Sequence, residues 1–245
     1  MNLLKTVFHI HTDYSDDSNL SVETLTELAR QQRVNCLAVT DHDTIQGAQR
    51  LAAIAGPDLQ VIIGEEISTN QGHLIGLFLK EHIEPGHSPR RTADLIHQQG
   101  GLVIVPHPYN RLFGCGLRGA VDEMIDLADA VEVWNAQNIM DSVNHQAEQL
   151  AADRRRPSIV GTDIHHGHTL DACHQWIPPF DGPESFIESL RDGTFVKGRH
   201  PLTYFLETAW IILREKTGLG FPSPYGKNCP IDRREIHHEP ITASD

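Results

Sequence analysis

Short apolar runs alternate along this chain with longer helix-like segments, and histidine or carboxylate residues stand at the end of nearly every run. The runs are 6–10, 36–40, 60–64, 73–78, 102–105, 130–134 and 158–161. Helix-like stretches occupy about 21–30, 44–56, 90–99, 121–126, 141–154, 183–191 and 202–216. Strands that alternate with helices predict parallel β-α units. Ser21 is placed as the N-cap of its helix, with Glu23 in the first turn, and Thr44 as the cap of the next. A chain of 245 residues is ordinary for a single α/β barrel, and 39% apolar content is enough for a sizeable core.

The C-terminal ends of the runs carry the chemistry. His9 and His11, Asp41 and His42, Glu65 and Glu66, His107, and Asp163 and His165 all sit there. In parallel barrels active sites form at that end. His73 is the exception, at the start of its run. His9 and His11 are two apart on a strand-like segment, so they share a face and suit one metal ion. The 16 histidines are spaced at strand ends and form no tract, which argues against a merely His-rich surface.

The formal charge of −13 disfavours a duplex-binding surface, since phosphate backbones demand cationic faces. It leaves room for a small phosphorylated substrate. No run of 18 apolar residues predicts a membrane span. The first residues lack a signal-peptide pattern, so the expected compartment is the cytoplasm. Cys36, Cys115, Cys173 and Cys229 are scattered, which argues against a disulfide framework or a zinc ribbon.

In order, the run ends read F-H-I-H-T-D-Y-S-D, T-D-H-D-T, G-E-E-I-S, G-H-L-I-G-L-F, V-P-H-P-Y and G-T-D-I-H. This series resembles the polymerase and histidinol phosphatase (PHP) superfamily, from Thr6 to His165. The resemblance implies a distorted seven-stranded (β/α)7 barrel, and the seven apolar runs agree with it. It implies two to three divalent transition metal ions, a trinuclear centre at most, on His9, His11, Asp16, His42, Glu66, His73, His107, Asp163 and His165. His9, His11, Glu66 and Asp163 would hold one ion. Glu66, as the bridge, would hold a second with His73 and His107. Asp16, His42 and His165 would hold the third. The G-x-E-I-S pattern selects Glu66 over Glu65.

Mixed imidazole and carboxylate donors suit Zn, Mn or Fe better than Mg or Ca. Water between two cations is acidified towards neutral pH, and a third cation offsets charge on phosphate oxygens. The implied activity is hydrolysis of a phosphate ester of a small metabolite, a nucleotide being one option, by metal-bound hydroxide. Glu66 and Asp163 are the expected catalytic carboxylates. Arg111 and Arg118, in the glycine-rich loop after His107, are placed as phosphate clamps, with Arg199 and His200 as a second cationic loop. Asp41 and Asp43 would orient His42, cap a helix or assist proton transfer. His166 and His168 are read as exposed loop residues or substrate contacts. Alternatives are end-trimming of short single-stranded oligonucleotides and a non-catalytic metal-binding module. One barrel domain is expected over 1–217, and an irregular tail over 218–245.

Overall fold

The computed structural model describes residues 3–110, 116–117, 120–167 and 169–217. The chain divides into two compact units, Met1–Thr208 and Ala209–Asp245. The expected tail from Gly218 lies outside the described residues.

All seven expected runs are strands: β1 (Leu4–Ile10), β2 (Cys36–Val39), β3 (Gln60–Thr69), β4 (Gly72–Leu77), β5 (Leu102–Val105), β6 (Ala130–Asn135) and β7 (Ser158–Ile164). They hydrogen-bond in the order β2-β3-β4-β5-β6-β7-β1, and β1 pairs again with β2, so the ring closes. The fold is a distorted seven-stranded (β/α)7 barrel. Two further strands extend the sheet, β8 (His174–Ile177) and β9 (Thr194–Val196). β7 holds the second half of β1, with Phe8 against Gly161, while β8 holds the first half in antiparallel register, with Leu4 against Ile177. That shared edge is one source of the distortion.

β4 is the other. It runs antiparallel to both β3 and β5, whereas the alternating pattern predicts parallel strands throughout. A tight hairpin joins β3 to β4 and sets Ser68 opposite His73. Reversal of β4 brings its first residues to the mouth where the parallel strands end. His73 therefore heads its run and still reaches the site.

Helices α1 (Val22–Gln31), α2 (Gln46–Ile54), α3 (Pro89–Gln98), α4 (Val121–Leu127), α5 (Asp141–Asp153), α6 (Pro183–Arg191) and α7 (Leu202–Thr217) follow the expected segments. Ser21 caps α1 by accepting the Thr24 N–H, and Val22, Leu25, Leu28 and Ala29 form its buried face. The N-cap of α2 is Ile45, without a side-chain cap, while the Thr44 hydroxyl accepts the Gln46 N–H. The interior of the barrel is filled by Phe8, Ala38, Ile62, Ile75, Ile104 and Ile159, one residue from each of six strands. Phe186 of α6 is fully buried and lies edge-on to Phe8 and Phe78. Burying a ring of that size contributes about 2–3 kcal/mol. No helix among the described residues is long and apolar enough to cross a membrane.

Candidate metal centre

Glu66 is the hub of the barrel mouth. Its carboxylate is buried, and five imidazoles surround it. Oε1 lies 2.9 Å from His73 Nδ1 and 3.0 Å from His107 Nε2. Oε2 lies 3.0 Å from His9 Nε2, 3.2 Å from His11 Nε2 and 3.6 Å from His42 Nε2. Asp163 faces the same space, with Oδ1 3.5 Å from both His9 Nε2 and His11 Nε2 and 3.7 Å from His165 Nδ1.

Among the described residues four groups present donor atoms all within 4.8 Å of one another: His11, Asp17, His42 and His165; His9, His107 and Asp163; His9, His11 and Glu66; and His42, Glu66 and His73. Eight of the nine expected ligands are thus gathered. The ninth, Asp16, is not among them. Asp16 and Asp17 are both exposed, and Asp16 belongs to none of these groups. Asp17 comes in instead, with Oδ2 3.1 Å from His165 Nε2 and 3.4 Å from His42 Nε2. The cause is the turn after β1. Ser15 N–H donates to Thr12 O, and the Ser15 hydroxyl donates to Asp17 Oδ1, so the carboxylate two residues beyond Ser15 is drawn inward.

A cation fits this donor set. The His11 Nε2 atom is buried and makes no well-aligned hydrogen bond, although two carboxylate oxygens lie within 3.5 Å of it. A buried imidazole nitrogen that faces two carboxylates without an aligned bond to either suits a shared ion. The electrostatics agree. Burial opposes charge on His9, yet Asp163, Glu132 and Glu66 hold its pKa well above the usual histidine range. Burial likewise opposes charge on His11, and the Asp163 and Glu66 carboxylates that face it push it up to about 10. Burial would raise Glu66 and Asp163, but the imidazoles hold both far below the carboxylate range. A field that places protons on these rings would place a divalent cation among them in the same way, in competition with those protons.

A buried carboxylate that the motifs do not mark stands behind the ligands. Glu132, on β6, accepts from His9 Nδ1 at 2.8 Å, from the His107 N–H at 2.7 Å and from Asn135 Nδ2 at 3.1 Å. It fixes the His9 tautomer, so that Nε2 faces the centre. A charged residue inside the apolar run V-E-V-W was the available signal. Asn135 Nδ2 also donates to Asp163 Oδ2 at 2.9 Å, and Gln137 Nε2 donates to Asp163 O.

The neighbours of the ligands have structural duties. Both Asp41 oxygens accept the Thr12 hydroxyl, and Oδ1 also takes the Thr12 N–H, tying down the loop after β1. Asp43 accepts the Ser68 N–H at 2.7 Å. Glu65 turns away from the centre. It is buried, bonds His82 Nδ1 at 2.7 Å, accepts the Ile83 N–H, and is pushed up to about 7 by burial.

Arg111 and Arg118 lie outside the described residues, as does His168. Arg199 is bound to Asp141 and to Ile139 O and lies over the Trp134 ring. His200 is buried, and its Nε2 donates to Thr162 O at 2.6 Å. His166 is buried, contrary to the expectation of an exposed loop residue, because α7 covers it: its ring stacks on Tyr204 and bonds Thr208. Beside the centre a cleft of about 450 Å³ opens between the loop after β5 and the start of α5, lined by Tyr109, Asn110, Asn138, Ile139, Met140 and Gln146. The Asn110 N–H donates to His107 O and the Asn138 N–H to Asn135 O, which ties one wall to a donor residue and the other to the amide that holds Asp163.

A sequence model of the PHP domain matches residues 8–156. The chain belongs to the PHP family. It is similar to an uncharacterised protein of Methanocaldococcus jannaschii, 38% identical over 156 residues that cover 59% of this chain and 89% of that one. It is also similar to the 5'-3' exoribonuclease Rnm of Salmonella typhimurium, 39% identical over 98 residues, 37% of this chain and 31% of the exoribonuclease. Among solved structures, a two-domain protein of Bacteroides vulgatus described as containing a predicted PHP-like metal-dependent phosphoesterase shares the fold, with a TM-score of 0.65 and 17% identity. The match covers 80% of this chain and 65% of that one. PsfC of Pseudomonas syringae shares it at a TM-score of 0.64 and 15% identity, over 88% and 99% of the two chains.

Proposed function

We propose that this PHP protein is a metal-dependent phosphoesterase, a hydrolase that cleaves a phosphate ester of a small metabolite, with a nucleotide among the candidates. The observation that carries the reading is the Glu66 hub: one buried carboxylate within reach of five imidazoles, with Asp163 facing the same space. Two to three divalent ions would be held by His9, His11, Glu66 and Asp163, by His73 and His107 with Glu66, and by Asp17, His42 and His165 with His11. Bound cations would supply Lewis acidity towards phosphoryl oxygens and lower the pKa of water.

The chain's own groups supply the rest. Asp163 Oδ2 is held by Asn135, which leaves Oδ1 to take a proton from the attacking water. Glu132 keeps His9 in one tautomer. The cleft beside the centre has the size of a small-molecule site, and its amide and apolar lining suits the body of the ester. No side-chain nucleophile is needed. Cys36 and Cys173 are buried thiols with raised pKa values, and the Ser15 hydroxyl is occupied by Asp17 and by the His42 N–H.

The test is turnover by metal-loaded protein against phosphomonoesters, phosphodiesters and short oligonucleotides. One turnover in ¹⁸O-labelled water is expected to place a single label in the released phosphate. Unlabelled phosphate, or a trapped phosphorylated side chain, would refute the mechanism. Lack of turnover of every phosphoester would leave the metal-binding module. A second reading, trimming of oligonucleotides from the 5' end, is favoured by the likeness to Rnm and opposed by the net charge of −13. Faster release of mononucleotides from oligonucleotides than phosphate from monoesters would decide for it.

A further inference from the structure

Tyr204, on α7, stands outside the stretch that the PHP family model matches, and its ring is clasped between two imidazoles. His200 stacks on it with centroids 3.9 Å apart and planes 11° apart, and His166 stacks at 4.1 Å and 12°. At these distances the two imidazoles must lie on opposite faces. His200 is anchored to Thr162 O and His166 to the Thr208 hydroxyl. The phenol ring is buried and cannot turn without breaking both stacks.

Its hydroxyl points at the backbone that carries two centre residues. It accepts the His165 N–H at 2.9 Å and donates to Asp163 O at 3.4 Å. These are places where the sheet gives no support. His165 follows the last residue of β7, so no ladder bond takes its N–H. Asp163 has φ +49°, a left-handed conformation uncommon for a non-glycine residue and more so inside a strand. The carbonyl of His165 is already fixed by the Ser18 hydroxyl at 2.7 Å and the Asn19 N–H at 3.1 Å. The Tyr204 hydroxyl supplies the remaining tie on the N–H side.

We propose that Tyr204 is a positioning residue for the metal centre: through the backbone of Asp163 and His165 it sets the group formed by His11, Asp17, His42 and His165. The inference rests on the reading of the cluster as a metal centre. α7 then serves as a brace for one end of the site, and the His166–Tyr204–His200 stack is the joint.

Y204F tests this, because it keeps the ring between both imidazoles and removes only the oxygen. Mn²⁺ or Zn²⁺ would be titrated into chelator-treated wild-type and variant protein, with elemental analysis for stoichiometry and thermal melting for stability. The expected result is a ~10–100-fold loss of affinity at one site, with the other sites and the metal-free melting temperature close to wild type. Identical titrations would overturn the proposal. So would an equal loss at all sites together with a large fall in melting temperature, which is the mark of a merely structural residue. Wild-type protein that takes up no cation would refute the metal-centre reading, and this inference with it. In unmodified protein the His165 amide must exchange slowly with deuterium, and fast exchange there also overturns the proposal.

Discussion

Replacing Gly161 with alanine probes the packing directly behind the centre. A Cβ at that position would lie 1.6 Å from Glu132 Oε1, 2.7 Å from Glu132 Cδ and 3.1 Å from His9 Cβ. The obstacle is not the free end of a flexible chain, because three donors hold the Glu132 carboxylate. To restore van der Waals distance the carboxylate must retreat by about 1.5–2 Å, which breaks at least its 2.8 Å bond to His9. Overpacking of this kind costs about 1–3 kcal/mol. Loss of a hydrogen bond to a charged group adds about 1.5–3 kcal/mol. The total, about 2.5–6 kcal/mol, is a large part of a typical stability of about 5–15 kcal/mol. At roughly 2–4 °C per kcal/mol, melting should fall by about 5–24 °C. Urea and thermal unfolding of G161A measure this, and a double-mutant cycle with E132A identifies the cause. Once the carboxylate is gone, adding G161A should cost less than about 1 kcal/mol, so the cycle should show a coupling of several kcal/mol. Additive costs, or a melting temperature unchanged in G161A, would refute the account of Glu132 and Gly161 as one packed unit.

Other outcomes follow from the geometry of the mouth. E66Q should abolish turnover, because it changes the carboxylate that five imidazoles share, whereas E65Q, on the far side of the strand, should cost no more than ~10–100-fold; equal loss in steady-state rates would contradict the assignment. D17N should weaken cation binding in calorimetric titration while D16N leaves it intact, and the reverse order would restore Asp16 as the ligand. Cys36 and Cys173 should resist iodoacetamide at pH 8 until the protein unfolds, since both are buried, the Cys36 thiol is pushed up to about 12 and that of Cys173 is raised as well. Mass spectrometry of the labelled native protein checks this, and rapid labelling of either would show that its strand opens readily.

The barrel and most of the donor cluster are legible in the sequence because most barrel strands end in a chemically distinctive residue. Run boundaries, helix positions and eight of the nine residues that gather at the barrel mouth need only local pattern. Long-range pairing is harder to read. β8 and β9 are short and carry no motif, so nothing in His174–Ile177 announces that it will pair with the start of β1. The reversal of β4 depends on a two-residue hairpin, and only the odd position of His73 hints at it. Asp17 displaces Asp16 through hydrogen bonds of one turn, which period alone does not encode. Glu132 is invisible to a search for strand-end donors because it lies inside its strand.

The faces of β1 show why local pattern succeeds at His9 for an incomplete reason. Simple alternation puts Val7 on the same face as His9 and His11. Instead Val7 and Ile10 pack together in one apolar cluster, while Phe8 joins the barrel interior. A three-residue step between Val7 and Ile10 requires an irregular residue between them. The pairing of β1 with both β2 and β7 shifts register there, and His9 has φ +60°. The bulge turns His9 inward directly after Phe8, so that His9 and His11 both reach the centre. His107, just past the end of β5 at φ +25°, and Asp163, on β7 at φ +49°, also have left-handed backbone. Such conformations cost of order 1–3 kcal/mol each and persist only when the surroundings impose them. Glu132 bonds the rings or backbone of two of the three, and Asn135, Gln137 and Tyr204 hold the third. The buried polar residues behind the ligands thus maintain the strained backbone that aims the donors. Substitutions at Glu132 or Asn135 should therefore disturb cation binding even though neither residue belongs to a donor group.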